Sequence, residues 1–231
     1  MIKEKEREKR LFEEFMRGLQ GRGPMEHEVK RLITGLGLSA PRGFFIPKAG
    51  VSKEAVFSKA GRIGFPVVVK AASPAIRSKT EIGGVRLGLL TRQGIFDAAR
   101  ELIKIKGVEG VLVERMVEGG TEAIVGGLMD PQFGPVVMFG LGGIFTEVFR
   151  DVSFALAPAN RKEALKLVAR IKGQSLLLGG RGRPPVDLDA LAEAIIAVSR
   201  LVATGLIKEI DLNPVSLFPR GAFVLDAKIF V

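Results

Sequence analysis

Two residues near the C-terminus, Asp211 and Asn213, stand two apart in an apolar run that ends at Phe218. Pro219-Arg-Gly221 follows, then a second apolar run, Ala222 to Phe230, that carries Asp226. Two apolar runs around a Pro/Gly turn read as a β-hairpin. Strand side chains alternate faces, so Asp211 and Asn213 point the same way. A turn centred near Pro219–Arg220 sets Asn213 opposite Asp226. Hard oxygen donors gathered on an otherwise apolar ribbon, with room for phosphate oxygens, are what a Mg²⁺–nucleotide site needs.

Other residues carry weaker signals. Lys70 ends the run Gly64-Phe-Pro-Val-Val-Val-Lys70, where a strand-end lysine can meet a phosphate as a point charge. Ser78, Lys79 and Thr80 precede Gly83-Gly84, and such a loop can offer backbone N–H groups to phosphate. Glu114, Arg115, Met116 and Val117 form a candidate linking strand whose backbone could meet an adenine edge. Glu114 and Glu122 are candidate carboxylates for ribose hydroxyls. Alone, Lys70 reads equally well as a solvated strand-end lysine, the glycine loop more often as a turn, and each glutamate more often as a surface carboxylate. His27 is the one histidine in the chain and reads as a structural residue near a helix start.

The elements that must position these residues follow from periodicity. Helices are expected over 3–20, 26–36, about 53–61, 94–107, the stretch after Asn160, and 188–203. Asn160-x-x-Glu163 is a capping box. Strands are expected at 43–46, 64–70, 111–117, 121–129, 135–139 and 145–149, with Gly140-Leu-Gly-Gly143 as a flexible loop between the last two. Residues 1–23 form a helical extension, 24–107 a first α+β lobe and 108–231 a second.

The chain has 231 residues, 47% of them hydrophobic, and no cysteine. That length supports a sizeable core, and the missing thiols exclude disulfides and thiol chemistry. No apolar run is long enough for a membrane span and no signal core follows the charged N-terminus, so a cytoplasmic protein is expected. The net charge of +10 raises nucleic acid as a partner. The basic excess is densest over 150–183, around Arg161, Lys162, Lys166, Arg170 and Lys172. Without Trp or Tyr for base stacking, and without a nucleic-acid motif, an acidic partner subunit or anionic ligands fit better.

The order of parts resembles the ATP-grasp fold, in which two α+β lobes enclose a nucleotide cleft. The run from Asp130-Pro-Gln-Phe-Gly134 to Glu147, continuing to Asp151-Val-Ser-Phe-Ala-Leu-Ala-Pro158, resembles the β subunits of archaeal ADP-forming acetyl-CoA synthetases. Ser73-Pro74, Lys79-Thr-Glu-x-Gly-Gly84, Gly180-Arg-Gly182 and Asp211-x-Asn-Pro214 fit the same family, and the related succinyl-CoA synthetase β subunit.

That resemblance implies an α subunit with the coenzyme A site and a catalytic histidine, in an α₂β₂ heterotetramer. Phosphoryl transfer would run from phosphohistidine to ADP, making ATP, with Mg²⁺. Lys70 and residues 78–80 would bind phosphates. Glu114 with the backbone through Val117 would hold adenine, and Glu122 the ribose. Asn213 and Asp226 would bind Mg²⁺, and Asp211 would orient the phosphohistidine. The family's β subunits read Ser-Pro-Asp-Ile-x-His-Lys where this chain has Ser73-Pro-Ala-Ile-Arg-Ser-Lys79. Ser78 thus replaces a histidine thought to carry the phosphoryl group, and serine lacks a basic nitrogen. The expectation is direct transfer from the α-subunit histidine. The alternative is a regulatory nucleotide-binding module without phosphoryl transfer.

Overall fold

The computed structural model describes residues 2–143, 151–180, 182 and 184–231. The expected strand at 145–149 lies outside the described residues. The chain divides into two compact units, one of Met25–Glu28 with Pro41–Glu118, the other of the residues up to Pro24 with Val29–Ala40 and Gly119–Val231. The division after Glu118 comes later in the chain than the expected boundary at 107/108. The reason is strand pairing: β4 (Gly110–Arg115) sits inside the first unit's sheet.

That sheet holds β1 (Gly43–Pro47), β2 (Val67–Ala72), β3 (Val85–Leu89) and β4 in the order β1-β4-β2-β3, all antiparallel. Helices α3 (Lys53–Ala60) and α4 (Arg92–Leu102) accompany it. Ser52 and Thr91 cap them, each hydroxyl accepting an N–H from the first turn, of Ala55 at 3.1 Å and of Gly94 at 3.0 Å. Val67 and Val69 of β2 and Val111 and Val113 of β4 join Ile95, Ala99 and Leu102 of α4 in one core. Each of the Val, Ile and Leu side chains contributes about 1.5–3 kcal/mol on burial. Strand alternation then sends Lys70 and Glu114 to the opposite face.

The second unit's sheet runs β10-β8-β5-β6-β7, with β9 paired to β8, among the described residues. Its strands are β5 (Thr121–Asp130), β6 (Gly134–Leu141), β7 (Val152–Leu156), β8 (Glu209–Leu217), β9 (Ala222–Val224) and β10 (Ala227–Phe230). Helices α5 (Arg161–Arg170) and α6 (Leu188–Val202) complete it, and the Asn160–Glu163 capping box on α5 forms as expected. α1 (Ile2–Leu19) adds Phe12 to this core. α2 (Glu26–Gly35) adds Val29, Leu32 and Ile33, while its first turn groups with the other unit.

Two expectations for the second unit's sheet also change. β6 extends through Leu141, pairing Ile124 with Gly140 and Ala123 with Leu141, so half of the expected glycine loop is strand. β7 was not expected; it pairs Val136 with Leu156 through Gly140 with Val152. Asp187 ties α6 to the hairpin turn: one carboxylate oxygen accepts the N–H groups of Asp189 and Ala190, the other that of Gly221. These backbone donors hold its pKa below the ordinary carboxylate value. No helix among the described residues is long and apolar enough to cross a membrane.

Candidate functional site

In the first unit, Lys70 sits beside Leu112, and its neighbour Val68 sits beside Glu114, so Lys70 and Glu114 are diagonal partners on one sheet face. Lys70 Nζ donates to Glu114 Oε2 at 2.8 Å and to Glu26 Oε1 at 2.8 Å. Lys79 Nζ lies 2.9 Å from Glu26 Oε2. All four side chains are buried. The order Glu114–Lys70–Glu26–Lys79 alternates sign and sums to zero charge.

The loop that carries Lys79 is closed at its base. The Ser73 hydroxyl donates to Glu109 Oε1 at 2.9 Å, and Gly84 N–H donates to the Lys79 carbonyl at 2.6 Å. A Cβ at Gly84 would stand 3.0 Å from that carbonyl and 3.2 Å from Ala71 Cβ, so the approach needs glycine. Ser78 is half-buried and its hydroxyl accepts the Glu81 N–H at 3.4 Å; Thr80 is exposed. Of the linking strand, Arg115 N–H is donated to the Arg42 carbonyl at 2.8 Å and Met116 N–H to the Pro66 carbonyl at 2.9 Å. His27 stacks on Phe45 with ring centroids 4.3 Å apart.

In the second unit the hairpin has one constant register, pairing Leu217 with Ala222, Val215 with Val224, Leu212 with Ala227 and Asp211 with Lys228. The strand breaks at Leu225 and Asp226, yet Asn213 N–H still donates to the Asp226 carbonyl at 3.1 Å. Asn213 and Asp226 therefore face each other, with Asp211 two residues along. The alternate residues Ile210 and Leu212 are buried in the core. Lys30 Nζ donates to the Leu225 carbonyl at 2.7 Å and holds the strand break beside Asp226.

Burial pushes the Asp211 carboxyl up to about 6, against the attraction of Lys228; Asp226 and Glu209 add to the rise, and the Asn213 side-chain hydrogen bond opposes it. Glu122 is exposed at the start of β5. Gly142 N–H donates to the Glu122 carbonyl at 2.7 Å, and a Cβ at Gly142 would stand 2.7 Å from Glu122 Cβ. Among the described residues, no group of three His, Cys, Asp or Glu side chains is placed to hold a metal. The donor set at Asn213 and Asp226 is oxygen only, which fits a cation that keeps several waters and takes its other ligands from phosphate.

Sequence reasoning placed the hairpin residues in their observed relation and put Lys70 on a strand, but not at its end: β2 begins at Val67 and continues past Lys70 to Ala72. It missed Glu26, which reads as an ordinary acidic residue at a helix start. It also did not anticipate that Glu114 and Lys79 are buried in ion pairs.

A family model described as an ATP-grasp domain matches residues 20–231. The chain is 37% identical over 220 residues to the acetate–CoA ligase [ADP-forming] I subunit beta of Pyrococcus furiosus, covering 92% of this chain and 93% of that one. It is 36% identical over 234 residues to the II subunit beta of the same organism, covering 96% and 97%. Among solved structures it resembles the dinucleotide-forming acetyl-coenzyme A synthetase 1 of Ca. Korarchaeum cryptofilum, with TM-score 0.79 and 38% identity over 94% of this chain and 98% of that one. That structure holds coenzyme A and Mg-AMPPCP, with its phosphohistidine segment pointing towards the nucleotide-binding site. The chain belongs to the ATP-grasp domain family, and within it to the β subunits of the ADP-forming acetyl-CoA synthetases.

Proposed function

We propose that this chain is the nucleotide-binding subunit of an ADP-forming acyl-CoA synthetase, acting with an α subunit that carries the coenzyme A site and a catalytic histidine. The net reaction converts acyl-CoA, ADP and phosphate to acid, coenzyme A and ATP. In this subunit's step a β-phosphate oxygen of ADP forms a bond to the phosphorus of the phosphohistidine. The N–P bond breaks, and the imidazole keeps its electron pair. The working assembly is an α₂β₂ heterotetramer.

The observation that carries this reading is the hairpin register, which faces Asn213 with Asp226 and puts Asp211 on the same ribbon. Asn213 and Asp226 are assigned to Mg²⁺, which would supply charge neutralisation on the phosphate oxygens. Lys70 and Lys79 are assigned to phosphates, with the 78–80 backbone beside them, and Asp211 to orienting the phosphohistidine. Glu122 is assigned to ribose. Because the Arg115 and Met116 N–H groups are already donated, adenine recognition falls to the remaining backbone groups of Arg115–Val117. Glu114 acts on the nucleotide through Lys70. Phosphoryl transfer asks mainly for positioning and charge neutralisation, and these residues supply both without a nucleophile of their own.

The test is reconstitution. Each chain alone, and the two together, are assayed with acetyl-CoA, ADP and labelled phosphate. ATP formation is expected with both chains only. Tight ADP binding with no dephosphorylation of a phosphorylated α subunit would select the regulatory reading instead.

A further inference from the structure

We propose that Glu26 is a positioning residue for the nucleotide phosphates, setting the spacing of Lys70 and Lys79. The inference rests on the nucleotide-binding reading and adds to it a residue from outside the lysine strand and the glycine loop.

Two ammonium groups that must meet one phosphate chain repel each other, and burial removes the water that would screen them. Glu26 answers both problems with one carboxylate. Oε1 accepts from Lys70 at 2.8 Å, and Oε2 lies 2.9 Å from Lys79 Nζ. The three side chains are between 3% and 10% exposed, too little for water to set the geometry. A bridging carboxylate fixes two cations relative to one another, one on each of its oxygens, and a phosphoryl group likewise offers more than one oxygen to a pair of cations.

Lys79 is held at its other end as well, through the 2.6 Å bond from Gly84 N–H to its carbonyl. Its side chain and backbone are both pinned, so the Ser78 and Thr80 backbone that flanks it is placed by the same contacts. Glu114 cannot replace Glu26, because its carboxylate reaches Lys70 from β4. In the absence of Glu26, Lys70 keeps one carboxylate partner and Lys79 loses this one.

The test uses the full chain and two variants, Glu26→Gln and Glu26→Asp. Dissociation constants are measured for ADP with Mg²⁺ by calorimetry and for adenosine by ligand-observed NMR, with thermal unfolding as the check on folding. Glu26→Gln is expected to weaken ADP binding about tenfold, which is about 1.4 kcal/mol, and to leave adenosine within about twofold. Glu26→Asp keeps the neutral sum but is one methylene short of spanning both ammonium groups. It is expected to show the same pattern at about threefold, and it decides the matter alone if the Gln variant does not fold. Native ADP affinity in the folded variants, or equal weakening of ADP and adenosine, overturns the inference. A native chain that binds neither ligand, or both equally, instead removes the nucleotide reading beneath it.

Discussion

Asp211 is a residue the fold holds at a cost, and the cost can be measured. Its folded pKa is about 6 against an ordinary value of 3.8, with burial as the leading cause. The difference of about 2 units corresponds to about 3 kcal/mol at 1.36 kcal/mol per unit, and to about 2 kcal/mol once the carboxylate's remaining contact with water is discounted. A raised folded pKa means that the folded state binds the proton more tightly than the unfolded one. The penalty is therefore absent below about pH 4, grows through the window from 4 to 6, and is fully present above it. Asp211→Asn removes the charge and keeps the shape. Urea unfolding should find the variant more stable than the native chain by about 2 kcal/mol at pH 8 and equal to it at pH 4. With an α subunit, ATP formation should fall on the order of a hundredfold, the loss that follows from the proposed role of Asp211 in orienting the phosphohistidine. A variant that is less stable at pH 8, or a stability difference that does not change with pH, refutes the reasoning.

Lys70→Met leaves Glu26 and Glu114 without this shared cation, so unfolding free energy should drop by about 3–5 kcal/mol and ADP binding should fall more than tenfold by calorimetry. Ser78→His should gain an acid-labile phosphoryl group on incubation with labelled ATP, where the native chain takes none; native turnover with α shows that the histidine is dispensable, and its absence refutes the direct route. Asp187→Ala removes the α6 cap and the hold on Gly221 together, and should cost about 1–2 kcal/mol in urea unfolding with ADP affinity unchanged.

What could be read from the sequence, and what could not, divides along a physical line. The hairpin was legible because a Pro/Gly turn and a period of two are local properties, and together they determine which residues meet: Asn213 opposite Asp226 needed nothing from elsewhere in the chain. The same period put Lys70 on the face away from Val67 and Val69. It could not say whether that face is covered. The cover includes Glu26, 44 residues away from Lys70, and an acidic residue at a helix start is explained already by the helix dipole. β7 escaped for the opposite reason, since Phe154 and Leu156 are exposed and spoil the alternation of apolar-in and polar-out that marks a strand. The Asp211 pKa is a property of burial, of Lys228 and Asp226 across the ribbon, and of Glu209 on its own strand. Periodicity thus assigns faces, while charge state depends on what lies over a face. For a site built from buried ions, the residues that decide its chemistry are then those whose sequence neighbours say least about them, and Glu26 is the case in point.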